Sequence, residues 1–171
     1  MTHKIIKSLD DLFLEELGDL YSAENQLVKA VPKLAQATNS SELQSALEDH
    51  LQETKHHVDR LEEAFKDLGQ KPGGVVCKAM KGLIAEGEEV VRKSEKSPAR
   101  DAAIIAAAQR VEHYEIAGYG TAQSHASLLG HTKIQKLLQE TLDEEKTSDH
   151  RLNELAQGTI NPQAMASSHV G

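Results

Sequence analysis

The sequence predicts an all-α protein: a bundle of four long helices with a short extra helix between the second and the third. The first observation is composition, since hydrophobic residues make up 39% of the chain and aromatic residues only 3%, with no Trp. Apolar content made mostly of Ala and Leu is typical of packed helices rather than strands. The second is a helical recurrence of apolar residues in four long segments. The third is length, because 171 residues suit one domain with a sizeable core.

The first two long helices are predicted to form a hairpin. The first is expected over residues 8–38, where Ser8 can cap its start and Pro32 would kink it or remove one of its hydrogen bonds. The second is expected over residues 41–68. It ends at Gly69, a residue suited to the position just past a helix C-terminus.

The last two long helices are predicted to form a second hairpin, reached by a long crossover over residues 70–97. A Pro- and Gly-rich linker opens the crossover, and a weaker helix is expected over residues 75–94. Pro98 then stands at the first position of a helix that runs to residue 129, and the last helix is expected over residues 132–157. One long crossover between two hairpins is the arrangement of ferritin-like bundles.

The predicted domain spans residues 1–158, and residues 159–171, which show no periodicity, are expected to be a flexible tail. The net charge of -8 argues against nucleic acid as a partner, because phosphate binding needs clustered Lys and Arg. No apolar run approaches the roughly 20 residues of a membrane span, and the N-terminus lacks the apolar stretch of a signal peptide. The single cysteine, Cys77, cannot form an internal disulfide. We therefore expect a soluble, cytoplasmic protein of bacterial type with no membrane partner.

Acidic residues lie near the middle of all four long helices, and these middles share one layer in an antiparallel bundle. The residues are Glu24, Glu53, Glu112 with Glu115, and Glu144 with Glu145. Bare carboxylates buried in one layer would repel each other strongly, and a pair of metal cations would remove that cost. A donor set rich in oxygen suits iron or manganese better than zinc. The sequence thus predicts two bound metal ions, with iron favoured and manganese as the alternative.

Helix phase separates these candidates. Glu24 lies on the apolar stripe of the first helix, between Leu20 and Leu27. Glu112 and Glu115 lie on the stripe of the fourth predicted helix. These three glutamates are therefore the best supported metal ligands.

The second helix offers a mixed set of donors. Glu53 lies at the edge of the stripe, and Glu53-Thr-Lys-His56 matches the Glu-x-x-His spacing of di-iron bundles. His50 shares a face with Glu53 and is the alternative ligand or an outer partner of one. His57 is interpreted as a residue that faces water.

The last helix leaves two adjacent glutamates open as ligands. Residues 50–61 and 141–152 align without gaps, with Leu, Glu, Lys, Arg and Leu recurring, and this internal similarity pairs Glu53 with Glu144. The spacing of Leu138 and Leu152 instead places Glu145 on the apolar seam.

Four stretches of the chain resemble the YciF branch of the YciE/YciF family of bacterial stress proteins. They are residues 20–27, 50–54, 111–117 and 141–146, within a resemblance that covers about residues 8–157. The resemblance implies a ferritin-like fold akin to rubrerythrin, a homodimer and a two-metal centre. By that analogy the ligands are Glu24, Glu53, Glu112, Glu115 and one of Glu144 or Glu145.

The resemblance also implies a stress-associated role, and three hypotheses follow. The first is a di-iron or di-manganese centre that oxidises Fe(II) or removes peroxide, with dioxygen or peroxide as the small oxidant. The chain departs from rubrerythrin because neither acid of the last helix has a His three residues later and no Cys pairs occur. The second hypothesis is a non-enzymatic dimeric scaffold protein with a vestigial metal site. Iron storage in a cage is a third, and the sequence identifies no catalytic residue.

Overall fold

The fold is taken from a computed structural model that describes residues 5–167. Within that range the chain forms six α-helices and no strand: α1 Leu9–Ala37, α2 Ser41–Asp67, α3 Lys78–Lys93, α4 Pro98–Leu128, α5 Thr132–Leu155 and α6 Asn161–Ser167. The predicted all-α bundle, with one long crossover that carries a short helix, is confirmed. None of these helices combines the length and the apolarity needed to cross a membrane.

The long helices begin and end where local capping chemistry predicts. Ser8 Oγ accepts a hydrogen bond from the third residue of α1 at 3.1 Å, and Ser97 caps α4 in the same way at 3.3 Å. Gly69 and Gly130 adopt φ of 65° and 77° just past α2 and α4. The backbone N–H of each glycine and of the residue after it donates back to the last helical turn. Helix α1 continues through Pro32 without ending.

Two hairpins pack into a four-helix ring. Helix α1 pairs with α2 and α4 with α5, contacts between α1 and α4 and between α2 and α5 close the ring, and α3 packs on α1 and α4. The carboxylate of Asp101 accepts N–H groups of Asn39 and Ser40 at 2.7 and 2.8 Å, which places the start of α4 beside the end of α1. The ring of Phe13 stacks on His131 at the other end. Helices α1 and α5 therefore run in one direction and α2 and α4 in the other.

The interior contains two apolar clusters, one toward each end of the bundle. One includes Leu27, Leu43, Leu47, Ile104, Val111 and Leu152. The other includes Phe13, Leu17, Leu61, Phe65, Tyr119 and Leu138. Apart from Thr38 and Asp101 at one end of the bundle, the buried polar residues lie between the two clusters and form one polar layer at mid-height.

The C-terminal segment differs from the predicted flexible tail. Helix α5 passes through a wide π-helical turn, Ala156–Ile160, directly into α6. Ile160 is 1% exposed in the first apolar cluster, and α6 packs against α4. The expectation of irregular chain from residue 159 is thus corrected as far as Ser167. Residues 168–171 of that prediction lie outside the described range.

Candidate metal centre

Four glutamates and two histidines meet in the polar layer between the two apolar clusters. They are Glu24 of α1, His50 and His57 of α2, Glu112 and Glu115 of α4, and Glu145 of α5. Their potential ligand atoms form two groups, each with all its atoms within 4.8 Å of one another. Group A contains Glu24, His57 and Glu145, and group B contains His50, Glu112, Glu115 and Glu145. Glu145 belongs to both groups and therefore stands where a bridging carboxylate would stand.

The spacing of the buried residues along α2 explains why its histidines at positions 50 and 57 reach the polar layer. Leu47, His50, Thr54, His57 and Leu61 recur at alternating spacings of three and four, and all five are buried. The outer two belong to the two apolar clusters. The middle three therefore reach the polar layer.

Group A has the spacing of ligands around one ion. His57 Nδ1 lies 3.0 Å from Glu145 Oε1 and 3.3 Å from Glu24 Oε1. Nevertheless, neither His57 Nδ1 nor Glu145 Oε1 has a well-aligned hydrogen bond. Adjacent ligands about 2.1 Å from an octahedral cation lie about 3 Å apart and point at the ion rather than at each other. The residues of group A therefore fit a metal ion.

Group B is also rich in polar atoms without partners. His50 Nε2 lies 3.5 Å from Glu112 Oε1, while both carboxylate oxygens of Glu115 lack any hydrogen bond. Among the described residues, eight of the nine buried side-chain polar atoms without a partner belong to groups A and B. Such atoms are rare in folded proteins and call for an explanation. Two bound cations would satisfy them.

An outer carboxylate orients His57, and another lies near His50 without a hydrogen bond to it. Glu144 Oε2 lies 2.8 Å from His57 Nε2, and the Arg60 guanidinium donates to both Glu144 oxygens at 2.5 and 2.8 Å. This contact leaves His57 Nδ1 directed at group A. Glu53 Oε2 lies 3.6 Å from His50 Nδ1 on the other side of the layer. Outer carboxylates of this kind fix the ring orientation and the tautomer of ligand histidines.

One tyrosine completes the surroundings of group A. The Tyr119 hydroxyl donates to Glu24 Oε1 at 2.5 Å, and its ring centroid lies 6.2 Å from that of His57. Tyr119 is fully buried. Tyr21, the other tyrosine placed near Glu24 by sequence, instead donates to the exposed Glu62 at 2.9 Å.

Burial and neighbouring charges shift the pKa values of the residues in the polar layer. Burial raises the pKa of Glu115 well above its ordinary value, and the nearby carboxylates raise it further. Burial disfavours the charged form of both histidines. The neighbouring carboxylates favour the charged form more strongly than burial disfavours it. They raise the pKa of His50 to about 10 and that of His57 to about 11. Burial also acts to raise the pKa of Glu145, yet contacts with the two histidines lower it. The metal-free layer thus holds protons that bound cations would displace.

The structure brings together four of the predicted residues and separates three. Glu24, Glu112, Glu115 and Glu145 lie in the layer. Glu144 binds Arg60 outside it, and the Glu53 side chain is 44% exposed beside His50. His56 is exposed and belongs to neither group.

The prediction for α2 is corrected in its histidines. Sequence reasoning selected His56 because it follows Glu53 by three residues. It interpreted His57 as facing water, which is wrong, since His57 is fully buried. The signal that identifies His57 is its spacing of three from Thr54 and four from Leu61, the same phase that buries His50.

The site has the same number of carboxylate and histidine ligands as di-iron bundles, but these ligands come from different helices. Four carboxylates and two histidines are also what two Glu and two Glu-x-x-His motifs supply. Here both histidines come from α2, and α4 supplies Glu112-x-x-Glu115. Four carboxylates carry the charge that two divalent cations would neutralise.

Comparisons with known proteins agree with this architecture. A family model described as "Domain of unknown function (DUF892)" matches residues 8–165. Protein YciF of Escherichia coli K12 is 46% identical over 160 residues, which cover 93% of this chain and 96% of that protein.

Solved structures extend the comparison to the fold. The crystal structure of the E. coli stress protein YciF matches with a TM-score of 0.88, covering 91% of this chain and 99% of that one. A Rhodopseudomonas palustris protein described as structural matches at 44% identity and a TM-score of 0.86, covering 90% and 98% of the two chains. A bacterioferritin-related dodecameric thioferritin from Bacteroides fragilis shares the fold at 15% identity, with a TM-score of 0.70 and coverage of 96% and 93%. The fold is therefore ferritin-like.

Proposed function

This chain belongs to the DUF892 family and is a homologue of YciF, and from that premise we propose that it is a stress protein with a dinuclear iron or manganese centre. The observation that carries the proposal is the concentration of unpartnered buried donor atoms in groups A and B. The oxygen-rich donor set favours iron first and manganese second. The name of the E. coli relative, a stress protein, supports the stress-associated role.

The residues assign distinct tasks within such a centre. Glu145 would bridge the two ions, Glu24 and His57 would complete one site, and His50, Glu112 and Glu115 would complete the other. Glu144 would hold His57 in place, and Tyr119 would hold Glu24. When bound, a pair of redox-active ions supplies electrons to a small oxidant. We propose Fe(II) oxidation or peroxide removal as the activity, with dioxygen or hydrogen peroxide as the oxidant.

Metal loading tests this proposal directly. The protein is loaded anaerobically with Fe(II), or with Mn(II) in parallel, and two ions per chain are expected by metal analysis and by anomalous scattering at groups A and B. The Glu145→Gln variant should lose most of this binding because both groups share Glu145. Glu154→Gln, which changes a 70% exposed side chain of the same helix, is the matched control. A wild-type protein that folds but binds no metal would contradict the proposal.

A second candidate, a non-enzymatic dimeric scaffold, also has a specific observation in its favour. The raised pKa values of His50 and His57 show that protons can partly neutralise the layer without metal. Replacing Glu112 and Glu115 by Ala separates the two functions. A scaffold should keep or gain stability when bare buried carboxyl groups are removed, whereas a metal centre should lose its ions.

We also propose that the chain is a homodimer in the cytoplasm, as its resemblance to YciF implies. Light scattering of the purified protein should give twice the chain mass of 18.7 kDa. A cage-sized particle would favour iron storage, and a monomer would contradict the dimer.

A further inference from the structure

A small cavity opens beside group B. Its volume is about 60 Å³, and it lies in the seam between α2 and α5. It is lined by Ala46, Leu47, His50, Glu53, Glu112, Thr147, Ser148, Arg151 and Leu152. Two of these residues, His50 and Glu112, belong to group B, and none is exclusive to group A.

The two groups differ in how they are enclosed. In group A the side chains of Glu24, His57 and Glu145 are completely buried. The Tyr119 hydroxyl covers Glu24, and Glu144 with Arg60 closes the outer side of His57. These contacts enclose group A.

Two donor residues of group B line the cavity. His50 is 6% exposed and Glu112 is 2% exposed, and His50 Nδ1 and Glu112 Oε2 have no hydrogen-bond partner. Both residues line the cavity from the inside. At the outer end, the side chains of Glu53 and Arg151 are 44% and 47% exposed, and Arg151 donates to Asp49 at 2.9 Å. The cavity therefore connects group B with the protein surface.

Volume and lining limit what the cavity can hold. A protein cavity of about 150 Å³ accepts benzene with its six carbon atoms, so about 60 Å³ suits two or three non-hydrogen atoms. The walls are apolar at Ala46, Leu47 and Leu152 and carry the polar residues Thr147 and Ser148. This mixture fits dioxygen or hydrogen peroxide and excludes branched or aromatic hydroperoxides.

We propose that the α2–α5 cavity is the site where a two- or three-atom oxidant binds, next to the group B ion, while group A is closed to exogenous ligands. This proposal rests on the proposed function, because it assigns the substrate class of the same centre. It makes the two metal positions unequal: one meets the oxidant and the other is enclosed.

Filling the cavity tests the proposal without an activity assay. Azide, a three-atom ligand, is titrated into the oxidised, iron-loaded protein and followed by its absorption band. Ala46→Leu should weaken azide binding by about tenfold or more, because the added side chain occupies the cavity. Ala106→Leu makes the same change at an exposed position of α4 and should bind azide as the wild type does. Ser148→Val narrows the opposite wall and replaces Ala46→Leu if that variant does not fold.

A metal-free readout separates this proposal from the proposed function. Crystals of the metal-free protein pressurised with krypton should show gas in the cavity of the wild type and none in Ala46→Leu. Failure of the wild type to bind iron would contradict the metal centre. Two iron ions with unchanged azide affinity in Ala46→Leu would overturn only the oxidant site. A variant that loads iron slowly yet binds azide normally would make the cavity a metal route and would also overturn it.

Discussion

Glu144 and Glu145 show how two identical neighbours acquire different roles. They are consecutive on α5, so the helix turns their side chains about 100° apart. Glu145 is fully buried in the polar layer, whereas the Glu144 side chain is 34% exposed and binds Arg60 and His57. From sequence, the internal similarity of α2 and α5 favoured Glu144, whereas the spacing of Leu138 and Leu152 favoured Glu145. The packing separates them, because only the seam position reaches the interior.

The role of Glu144 leads to a prediction about metal affinity. Glu144→Gln removes the charge that orients His57 and weakens the contact to Arg60. We expect the affinity for the group A ion to fall about 10- to 100-fold, the usual cost of losing an outer partner. Isothermal titration with Mn(II) measures it. Equal losses in Glu144→Gln and in the Glu154→Gln control would show that Glu144 does not orient the ligand.

Tyr119 gives a second residue-scale prediction. Tyr119→Phe removes the hydroxyl that donates to the buried Glu24, which loses a partner it cannot replace with water. The free energy of unfolding of the metal-free protein should fall by about 1–3 kcal/mol. Tyr21→Phe is the control, because its hydroxyl contacts the exposed Glu62, and it should change stability by less than about 0.5 kcal/mol. Urea denaturation compares the two, and indistinguishable values would count against a structural role for the Tyr119 hydroxyl.

At the scale of helices, local chemistry predicts most boundaries. Ser8, Ser97, Gly69 and Gly130 each act within a few residues of their own position, so the helix ends they mark can be predicted from sequence. The π-helical turn before α6 could not be predicted in the same way. It depends on the packing of Ile160 into the core and of α6 against α4, which no local residue pattern reports.

Helix α4 contains two glycines that allow a matched prediction. A Cβ at Gly118 would lie 2.8 Å from Leu20 Cδ2 of α1, whose side chain is 1% exposed. Gly118→Ala should therefore force the two helices or Leu20 to shift, at about 1–3 kcal/mol. A Cβ at Gly120 would meet no atom within 4 Å, so Gly120→Ala should stabilise α4 by up to about 1 kcal/mol. Thermal unfolding of the two variants should move in opposite directions, and shifts of the same sign would refute the close approach.

For the whole molecule, the polar layer makes stability depend on pH and metal together. His50 and His57 have folded pKa values of about 10 and 11, well above the unfolded value of 6.5. Their contribution is therefore complete below pH 6.5 and is lost as the pH rises through 10 to 11. The free energy of unfolding of the metal-free protein should decrease from pH 6.5 to pH 9.5.

Bound metal should reverse that dependence. Ligand carboxyl groups and histidines must release their protons to bind a cation, so metal affinity rises with pH. Denaturation at pH 6.5, 8 and 9.5, with and without Mn(II), measures both slopes. Parallel slopes would show that the two histidines do not take part in binding.

The existence of the polar layer could be predicted from the fold, whereas the sequence did not identify all of its candidate metal ligands. Helix middles share one level in any antiparallel bundle, and that rule together with helix phase placed Glu24, Glu112 and Glu115 in one layer, as the structure has them. The choice between His56 and His57 depends on one residue of helix phase, about 100° of rotation. The Glu-x-x-His template favoured the exposed His56. The sequence nevertheless contains the helical spacing of His57 from Thr54 and Leu61, which identifies His57 as buried.

The placement of both histidines on α2 has a consequence for recognising related chains. A pattern search for Glu-x-x-His in two helices passes over this protein at its last helix. A pattern of His-x6-His followed by Glu-x2-Glu, taken from His50, His57, Glu112 and Glu115, describes the donors that are buried. A search with this pattern would collect bundles whose two histidines lie on one helix and whose paired glutamates lie on another, without relying on overall identity.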